Sequence, residues 1–567
     1  MRRGLAVVAA YLALVLVLTW PLARHLGTHL PRTNLACQFD LLYVAWVLAW
    51  QSHALLTGGF HLRDANIFHP ARGTLFFGPT APGALPFVVP IQALTGNPTL
   101  ATNVLFLGGI VASAAAVHLV AVRWTRSHLA GLVAAATLLT TRWFFWDLAA
   151  FPHWALVFYL PLIILMASTP APTLGRALWL VPLIVLQSLA DPVYRAAAVM
   201  VPLGLLAAAR VLRPSTRAAG ARLVAALGLS LLALLPIYAA YARVLRENPA
   251  LGSTWSRPGL PATVPWGPFR QGALAVPGVL WIVIVCGPVV IARGGLEATE
   301  RRGWLHAALW MLVGLYISLT PTLHWTVTPW VPLSGTMVQL PGSALARWLG
   351  VYQIVRAPQR LGVASLMGVA LLAGLAFAEC ARRLPARRHA AWHGVAALLV
   401  TAAMYRSYAT QGRPRAPGWP GSYPIGEAIR GDSPIVRALA AGQGPVLELP
   451  IVDPDGSMAV QARAMYRSIY HWRPLVNGYS SYWPPGFRER MVLAARLPDA
   501  DALARLRAET GVDAIVVDLA AFRAADAPRR QAWLAAARGD VPDLRLVVRD
   551  GQELLFDVAG AAPGQAP

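Results

Sequence analysis

Long apolar runs alternate with short polar connections over the first 405 residues, and there the alternation stops. About 20 apolar residues cross a bilayer, and shorter runs serve when interfacial groups cap their ends. Eleven such runs stand at residues 5–22, 100–122, 129–141, 154–166, 177–189, 196–209, 223–241, 275–291, 304–319, 361–378 and 390–404. The third to sixth are short, so their ends are soft. The pattern predicts a polytopic α-helical membrane protein with about eleven transmembrane helices in residues 1–405.

Three connections are long, at 23–99, 242–272 and 320–360. Connections of this length are usually functional. The first holds an apolar stretch from Asp40 to Trp50, with Trp46 and Trp50 one turn apart. It is too short to span and reads as an interfacial helix with its tryptophans among the headgroups. A second such segment is expected at 84–94. Beyond residue 405 the composition changes: 406–424 reads as a Pro- and Gly-rich linker, 425–559 as a soluble α/β domain and 560–567 as a disordered tail. Helices are expected at 434–441 and 501–510, strands at 445–450 and 513–518, and a hairpin over 544–556 turning at Asp550-Gly551. Alternating helices and strands make a small α/β unit.

Composition agrees with the pattern. The 567 residues are 57% hydrophobic and only 13% charged, where a soluble chain has about 25% charged residues. The net charge of +23 does not point to nucleic acid, because the arginines sit between apolar runs rather than along a basic stripe. With the N-terminus inside, sixteen fall on inner connections: Arg2, Arg3, Arg123, Arg126, Arg176, Arg210, Arg213, Arg217, Arg222, Arg293, Arg301, Arg302, Arg382, Arg383, Arg387 and Arg388. The short outer connections around Asp147 and Asp191 carry only Arg142 and Arg195. This positive-inside alternation implies an odd helix count, a multi-pass protein of a bacterial inner membrane, a cytoplasmic N-terminus and a periplasmic C-terminal domain. Leu18 to Leu22 is a poor cleavage site, so the first helix is read as retained. All 48 basic residues are arginine, which excludes a phosphate-loop lysine, a Schiff-base lysine and a lysine general base. Cys37, Cys286 and Cys380 fall at different levels of the topology and imply no disulfide framework.

Candidate chemistry gathers on the outer face. Asp40 heads the first-loop helix, where a carboxylate either caps the helix or accepts a proton from a hydroxyl. Asp64 either closes an Asx turn or joins Asp40 as a second catalytic carboxylate. Asp147 follows four residues that include Trp143 and Trp146; it belongs either to an interfacial belt or to a site with a raised carboxyl pKa, near His153. Asp191 stands before Tyr194 and Arg195, as an Asp–Arg contact or as part of an acceptor site with His153 and Tyr194. Arg356 and Arg360, one turn apart, suit a two-pronged grip on phosphate as well as ordinary headgroup contact. The run 465–485, with His471, Asn477 and Tyr479, is the densest polar and aromatic stretch. It suits sugar recognition, or a folded connection packed on the membrane part. No G-x-S-x-G elbow is present.

Several of these segments, taken together, resemble a large group of bacterial membrane proteins. They are Asp40 heading an aromatic helix, Asp64-Ala-Asn-Ile-Phe-His-Pro70, Gly96-Asn97-Pro98, Arg356-Ala-Pro-Gln-Arg360, and Tyr470-His-Trp-Arg-Pro474 continuing to Asn477-Gly-Tyr479. That group is similar to the GT-C superfamily of glycosyltransferases, which includes polyprenyl-phosphate-sugar and protein mannosyltransferases. The resemblance implies a GT-C-like fold, and an acid in the first outer loop that is central to catalysis. Asp40 is the matching position; many members carry an acidic pair there, and this chain has Cys37-Gln38-Phe39-Asp40. It further implies transfer, with inversion, of a sugar from a polyprenyl phosphate to an envelope glycan, lipid or protein acceptor. Asp40, Asp64 and Asp147 are then the catalytic candidates and Arg356 and Arg360 the donor-phosphate candidates. His153, Asp191, Tyr194, His471, Asn477 and Tyr479 are acceptor or sugar contacts. No metal ligand is assigned, and a divalent cation stays open. The alternative is a non-enzymatic envelope-assembly scaffold or transport component whose C-terminal domain binds a partner.

Overall fold

Asn97 and Ser127 show how the apolar runs become helices. The Asn97 side chain accepts a hydrogen bond from the Leu100 N–H at 2.9 Å, with Pro98 in the first turn, and Ser127 caps the next helix through the Ala130 N–H at 3.2 Å. Such caps satisfy backbone donors that have no partner inside the helix. The structure is a computed structural model. It describes residues 2–33, 37–58, 62–141, 148–170, 172–250, 252–253, 296–319, 322–325, 336–339, 358–409, 423–452 and 457–558.

Among the described residues up to 409, the α-helices are α1 (Arg2–Leu18), α2 (Gln38–Leu56), α3 (Leu85–Thr95), α4 (Pro98–Thr125), α5 (His128–Leu139), α6 (Tyr159–Ala167), α7 (Leu174–Ala190), α8 (Tyr194–Val211), α9 (Arg217–Glu247), α10 (Ala298–Ser318), α11 (Val363–Arg383) and α12 (His389–Ala409). Among the described residues, four helical stretches are long and apolar enough to cross a membrane: Pro98–Thr125, Tyr194–Val211, Pro214–Glu247 and Arg360–Arg383. Shorter apolar helices accompany them. The run expected at 275–291 lies outside the described residues. The innermost helix is α11, buried along nearly its whole length against α4, α5 and α10. A Cβ on Gly314 would stand 2.2 Å from the Ser365 nitrogen, so the α10–α11 crossing depends on glycine there.

Past the bundle, β6 (Val446–Leu449) and β8 (Ala514–Asp518) run parallel, and β10 (Glu553–Val558) and β9 (Leu544–Asp550) complete a sheet of order β6-β8-β10-β9. The β9–β10 hairpin turns through Gly551 at φ 57°. Helices α13 (Pro434–Ala441), α14 (Met458–Ser468), α15 (Phe487–Arg496), α16 (Ala500–Thr510) and α17 (Ala527–Ala536) accompany the sheet. Three small antiparallel pairs occur elsewhere. They are β1 (His29–Pro31) with β5 (Ile425–Glu427), β2 (Gly252–Ser253) with β7 (Tyr482–Trp483), and β3 (Thr322–Trp325) with β4 (Thr336–Gln339).

The 40–50 segment of the first long connection, expected as an interfacial helix, is instead packed inside the protein. Helix α2 is buried from Tyr43 to Ser52, and Trp46 is fully buried. Trp46 Nε1 donates to Asn66 Oδ1 at 3.1 Å, and Trp50 Nε1 to the Leu62 carbonyl at 3.2 Å. The apolar residues of α2 share one continuous core with β6, β8, β10 and α14. A helix with apolar residues all round is a buried helix, and here α14 of the C-terminal region supplies much of the cover. By contrast, α3 leaves Phe87 and Leu94 exposed.

Because Trp46 is wholly enclosed, Trp46→Ala is expected to cost about 3–5 kcal/mol. Thermal unfolding in detergent would show it as a lowered transition of the full chain.

Candidate active site

Asp40 lies in the first turn of α2 and keeps part of its surface open. The Tyr479 hydroxyl donates to Asp40 Oδ1 at 2.8 Å across 439 residues of sequence. Main-chain pairing brings Tyr479 there. The Val446 N–H donates to the Pro474 carbonyl, and the Val476 N–H to the Val446 carbonyl, each at 2.8 Å. The Asn477 amide then takes both main-chain groups of Glu448, accepting from its N–H at 2.7 Å and donating to its carbonyl at 3.0 Å. On the opposite side, the first loop bonds to the same segment, from Leu475 N–H to the Asn66 carbonyl and from Phe68 N–H to the Asn477 carbonyl. Phe39 and Tyr43 meet the Tyr479 ring edge-on, with centroids 5.2 and 5.8 Å away. Burial pushes the Asp40 carboxyl up, while the Tyr479 bond, the Arg360 charge and a Cys37 bond pull it back; the net shift is upward. Burial, and then the neighbouring Asp40, push the Tyr479 hydroxyl well up, so it stays a donor.

Arg360 occupies a short helical turn, Pro358–Gly362, before α11. Its guanidinium carbon lies 4.8 Å from the Trp154 ring centre, 4.9 Å from Phe151 and 5.5 Å from Tyr194. Cation–π attraction holds a guanidinium in such a box without neutralising it. Asp191 fixes the box. Its Oδ2 accepts from Trp154 Nε1 at 2.8 Å, and its Oδ1 accepts from the Val193 and Tyr194 N–H groups at 2.9 Å each. Arg195 also lies over the Trp154 ring, at 5.3 Å, and donates to the Trp154 carbonyl at 3.4 Å. The charges of Arg195 and Arg360 both reach the buried His153. The cluster offers the Asp40 carboxylate and two guanidinium groups beside aromatic rings, with Asp191 tied to N–H donors, and it suits accepting a proton beside a bound anion.

The structure thus gathers Asp40, Tyr479, Arg360, His153, Asp191 and Tyr194. Asp64 stands apart: its carboxylate accepts from the Gly73 N–H at 2.6 Å and closes the loop. The bonds of Trp46 and Trp50 to residues 66 and 62 place that loop beside the middle of α2, about 10 Å along the helix axis from Asp40. Asn477 is fully buried, with both amide atoms engaged by β6. His471 accepts from the Arg473 N–H at 3.2 Å, and burial with the Arg473 and Arg467 charges holds it down at about 3, hence neutral. Asp147 and Arg356 lie outside the described residues. Sequence reading passed over Phe151, Trp154 and Tyr43. Tyr43 follows Asp40 by three residues on one helix face, and Phe151-Pro-His-Trp154 brackets His153 with rings. Among the described residues, no three His, Cys, Asp or Glu side chains converge as metal ligands. The charge facing Asp40 is the cation Arg360.

No family model matches this chain, and neither does any curated protein. Among solved structures it is similar to ArnT from Cupriavidus metallidurans bound to undecaprenyl phosphate, with 15% identity and a TM-score of 0.46 over 98% of this chain and 99% of that one. Similarity to ArnT from Cupriavidus metallidurans in the apo state has 15% identity and a TM-score of 0.42, with the same shares covered. The function is therefore argued from the chain's own residues.

Asp191 is buried and accepts three hydrogen bonds. Asp191→Ala leaves those donors without partners and is expected to cost about 2–4 kcal/mol. A shifted tryptophan emission together with a lowered unfolding temperature would report the loosened Trp154.

Proposed function

We propose that the protein is a GT-C-like membrane glycosyltransferase. It moves a sugar from a polyprenyl phosphate to an envelope glycan, lipid or protein acceptor at the outer face of the inner membrane. The supporting observation is the meeting of a carboxylate held by a hydroxyl, Asp40 with Tyr479, and a guanidinium boxed by three rings, Arg360. Inversion by direct displacement needs a base for the acceptor hydroxyl and a positive group for the departing phosphate. Tyr479 holds one oxygen of Asp40, and the other takes the proton. The acceptor oxygen bonds to the anomeric carbon as the carbon–oxygen bond to phosphate breaks, and the polyprenyl phosphate leaves. Arg360 keeps the edges of its guanidinium free of the stacked rings and meets the phosphate oxygens there. Arg195 adds a second positive charge. The ArnT structure holds undecaprenyl phosphate, a lipid of this class; the reading here rests on the charges and rings of this chain.

The arginine alternation supports placing the site, and residues 425–559 with it, on the periplasmic side. A partner-binding scaffold is less well supported. The aromatic and polar residues that would recognise a partner are engaged within the chain. Trp472 stacks on His53 at 3.9 Å, Tyr466 bonds Thr99 at 2.5 Å, and Tyr479 bonds Asp40.

Asp40→Asn is expected to lower transfer by about 10²–10⁴-fold, with the unfolding temperature unchanged. Membranes supplied with labelled polyprenyl-phosphate sugars give the measurement, and wild-type transfer by the variant rules out Asp40 as base. The acting form of Asp40 is ionised, and its carboxyl sits above the ordinary range. Activity should therefore fall on acidification at a pH above the usual carboxylate value of about 4. Tyr479→Phe removes a bond that lowers this pKa, so the acid limb of the pH–rate profile should move to still higher pH.

A further inference from the structure

The far end of the bundle holds a buried cation with no counter-charge among the described residues. Arg210, in the last turn of α8, is 9% exposed, and His306 of α10 is 7% exposed. Arg210 Nη2 donates to the Ala167 carbonyl at the end of α6 at 2.8 Å. Its Nη1 is buried without a hydrogen-bond partner, and so is His306 Nδ1. The charges of Arg210 and Arg302 both reach His306. Helix α9 packs closely on the end of α8 beside them: a Cβ on Gly220 would meet the Val211 nitrogen at 2.6 Å.

Capping the last carbonyls of α6 accounts for one end of the guanidinium. It leaves Nη1 and the full positive charge unanswered. Within residues 1–409, the acids on the connections at this end are Glu297, Glu300 and Glu379. Arg382 bridges Glu300 at 2.7 Å and pairs with Glu379, and Arg383 pairs with Glu379 at 2.6 Å. No described carboxylate lies within ion-pair distance of Arg210, and residues 254–295 contain no acid. A charge held beside hydrocarbon without a partner is costly. An anion seated against Nη1 and His306 Nδ1 relieves that cost.

We propose that the ends of α6 and α8 and the start of α10 part to form a cleft that binds the phosphate of an anionic phospholipid headgroup, with Arg210 and His306 as its ligands. The shared chemistry is a phosphate oxygen accepting from a guanidinium and an imidazole N–H. The cleft lies at the end of bundle helices, where a lipid chain can follow the outer surface of α8; Leu205 and Leu212 are exposed there. Basic pockets between membrane helices are known lipid-headgroup sites. This inference does not depend on the transferase reading.

Native mass spectrometry of the full chain, after reconstitution with phosphatidylglycerol, tests the proposal. The wild type should retain one phosphatidylglycerol. Arg210→Gln and His306→Gln should each retain it at least about tenfold less, the effect of losing one charge-assisted hydrogen bond. Arg387→Gln, an exposed arginine at the same end, should retain it as the wild type does. A polyprenyl phosphate held at the opposite end is distinguished by mass. If Arg210→Gln fails to fold, His306→Gln decides the matter alone. Undiminished retention in His306→Gln overturns the proposal, and so does equal loss in Arg387→Gln, which would mark diffuse attraction. In nanodiscs of neutral lipid, added phosphatidylglycerol should raise the wild-type unfolding temperature while inorganic phosphate should not; a rise with phosphate alone would make the cleft a soluble-anion site and overturn the lipid assignment.

Discussion

The pairing of the Asn477 amide with the main chain of Glu448 holds the Asp40 end of the molecule together. It fastens residues 474–477 along β6, so that the segment lies between the sheet on one side and the first loop on the other. Two residues further on, Tyr479 reaches Asp40. A side-chain amide bonded to main chain in this way is rigid and fully desolvated, and in a low dielectric each bond is stronger than it would be in water. The site is therefore built from the joint between the first loop and the C-terminal sheet, and neither part carries it alone. The shared apolar core makes the joint permanent, since separating the two would expose α2.

The electrostatics of the site follow from this burial. Alone, a desolvated Asp40 would stay protonated and could not act as a base. The Tyr479 hydroxyl and the Arg360 charge both favour its ionised form without neutralising it by direct contact. Arg360 in turn is held by rings, and no described acid pairs with it. Asp191 could have served as that acid, but it is engaged by Trp154 and by the start of α8. Keeping the one structural carboxylate tied to N–H groups leaves the cation beside Asp40 open to an anion.

Elements set by local chemistry were legible in the sequence. The Asp550-Gly551 turn requires the positive φ that glycine supplies, and the Val-rich run 514–517 could only be a buried strand. Caps at Asn97 and Ser127 mark helix starts in the same way. What was not legible was set by distant contacts. The composition of α2 fits a membrane surface as well as a protein core, and the C-terminal sheet that decides between them lies some 400 residues later. The gathering of Asp40, Arg360 and Asp191 on one face could be read from the order of apolar runs, because helix ends on one side of a bundle must meet. The hydrogen bond from Tyr479 could not, since no periodicity relates residue 40 to residue 479. Asp64 and Asn477 carry polar groups that suit chemistry, and both turn out to bond main chain instead.

Arginine without lysine makes the two ends of the bundle comparable. At the Asp40 end a guanidinium lies within 5.5 Å of three ring centres; at the other, Arg382 and Arg383 are paired with Glu300 and Glu379. The planar group tolerates both settings because it is weakly hydrated and carries its donors at fixed edges. An ammonium in the aromatic box would keep its attraction to the rings but lose the flat face, and with it the edge that points past them. The same side chain thus fastens one end through carboxylates and keeps a charge in reserve at the other. What separates structure from site in this chain is the partner each guanidinium is given.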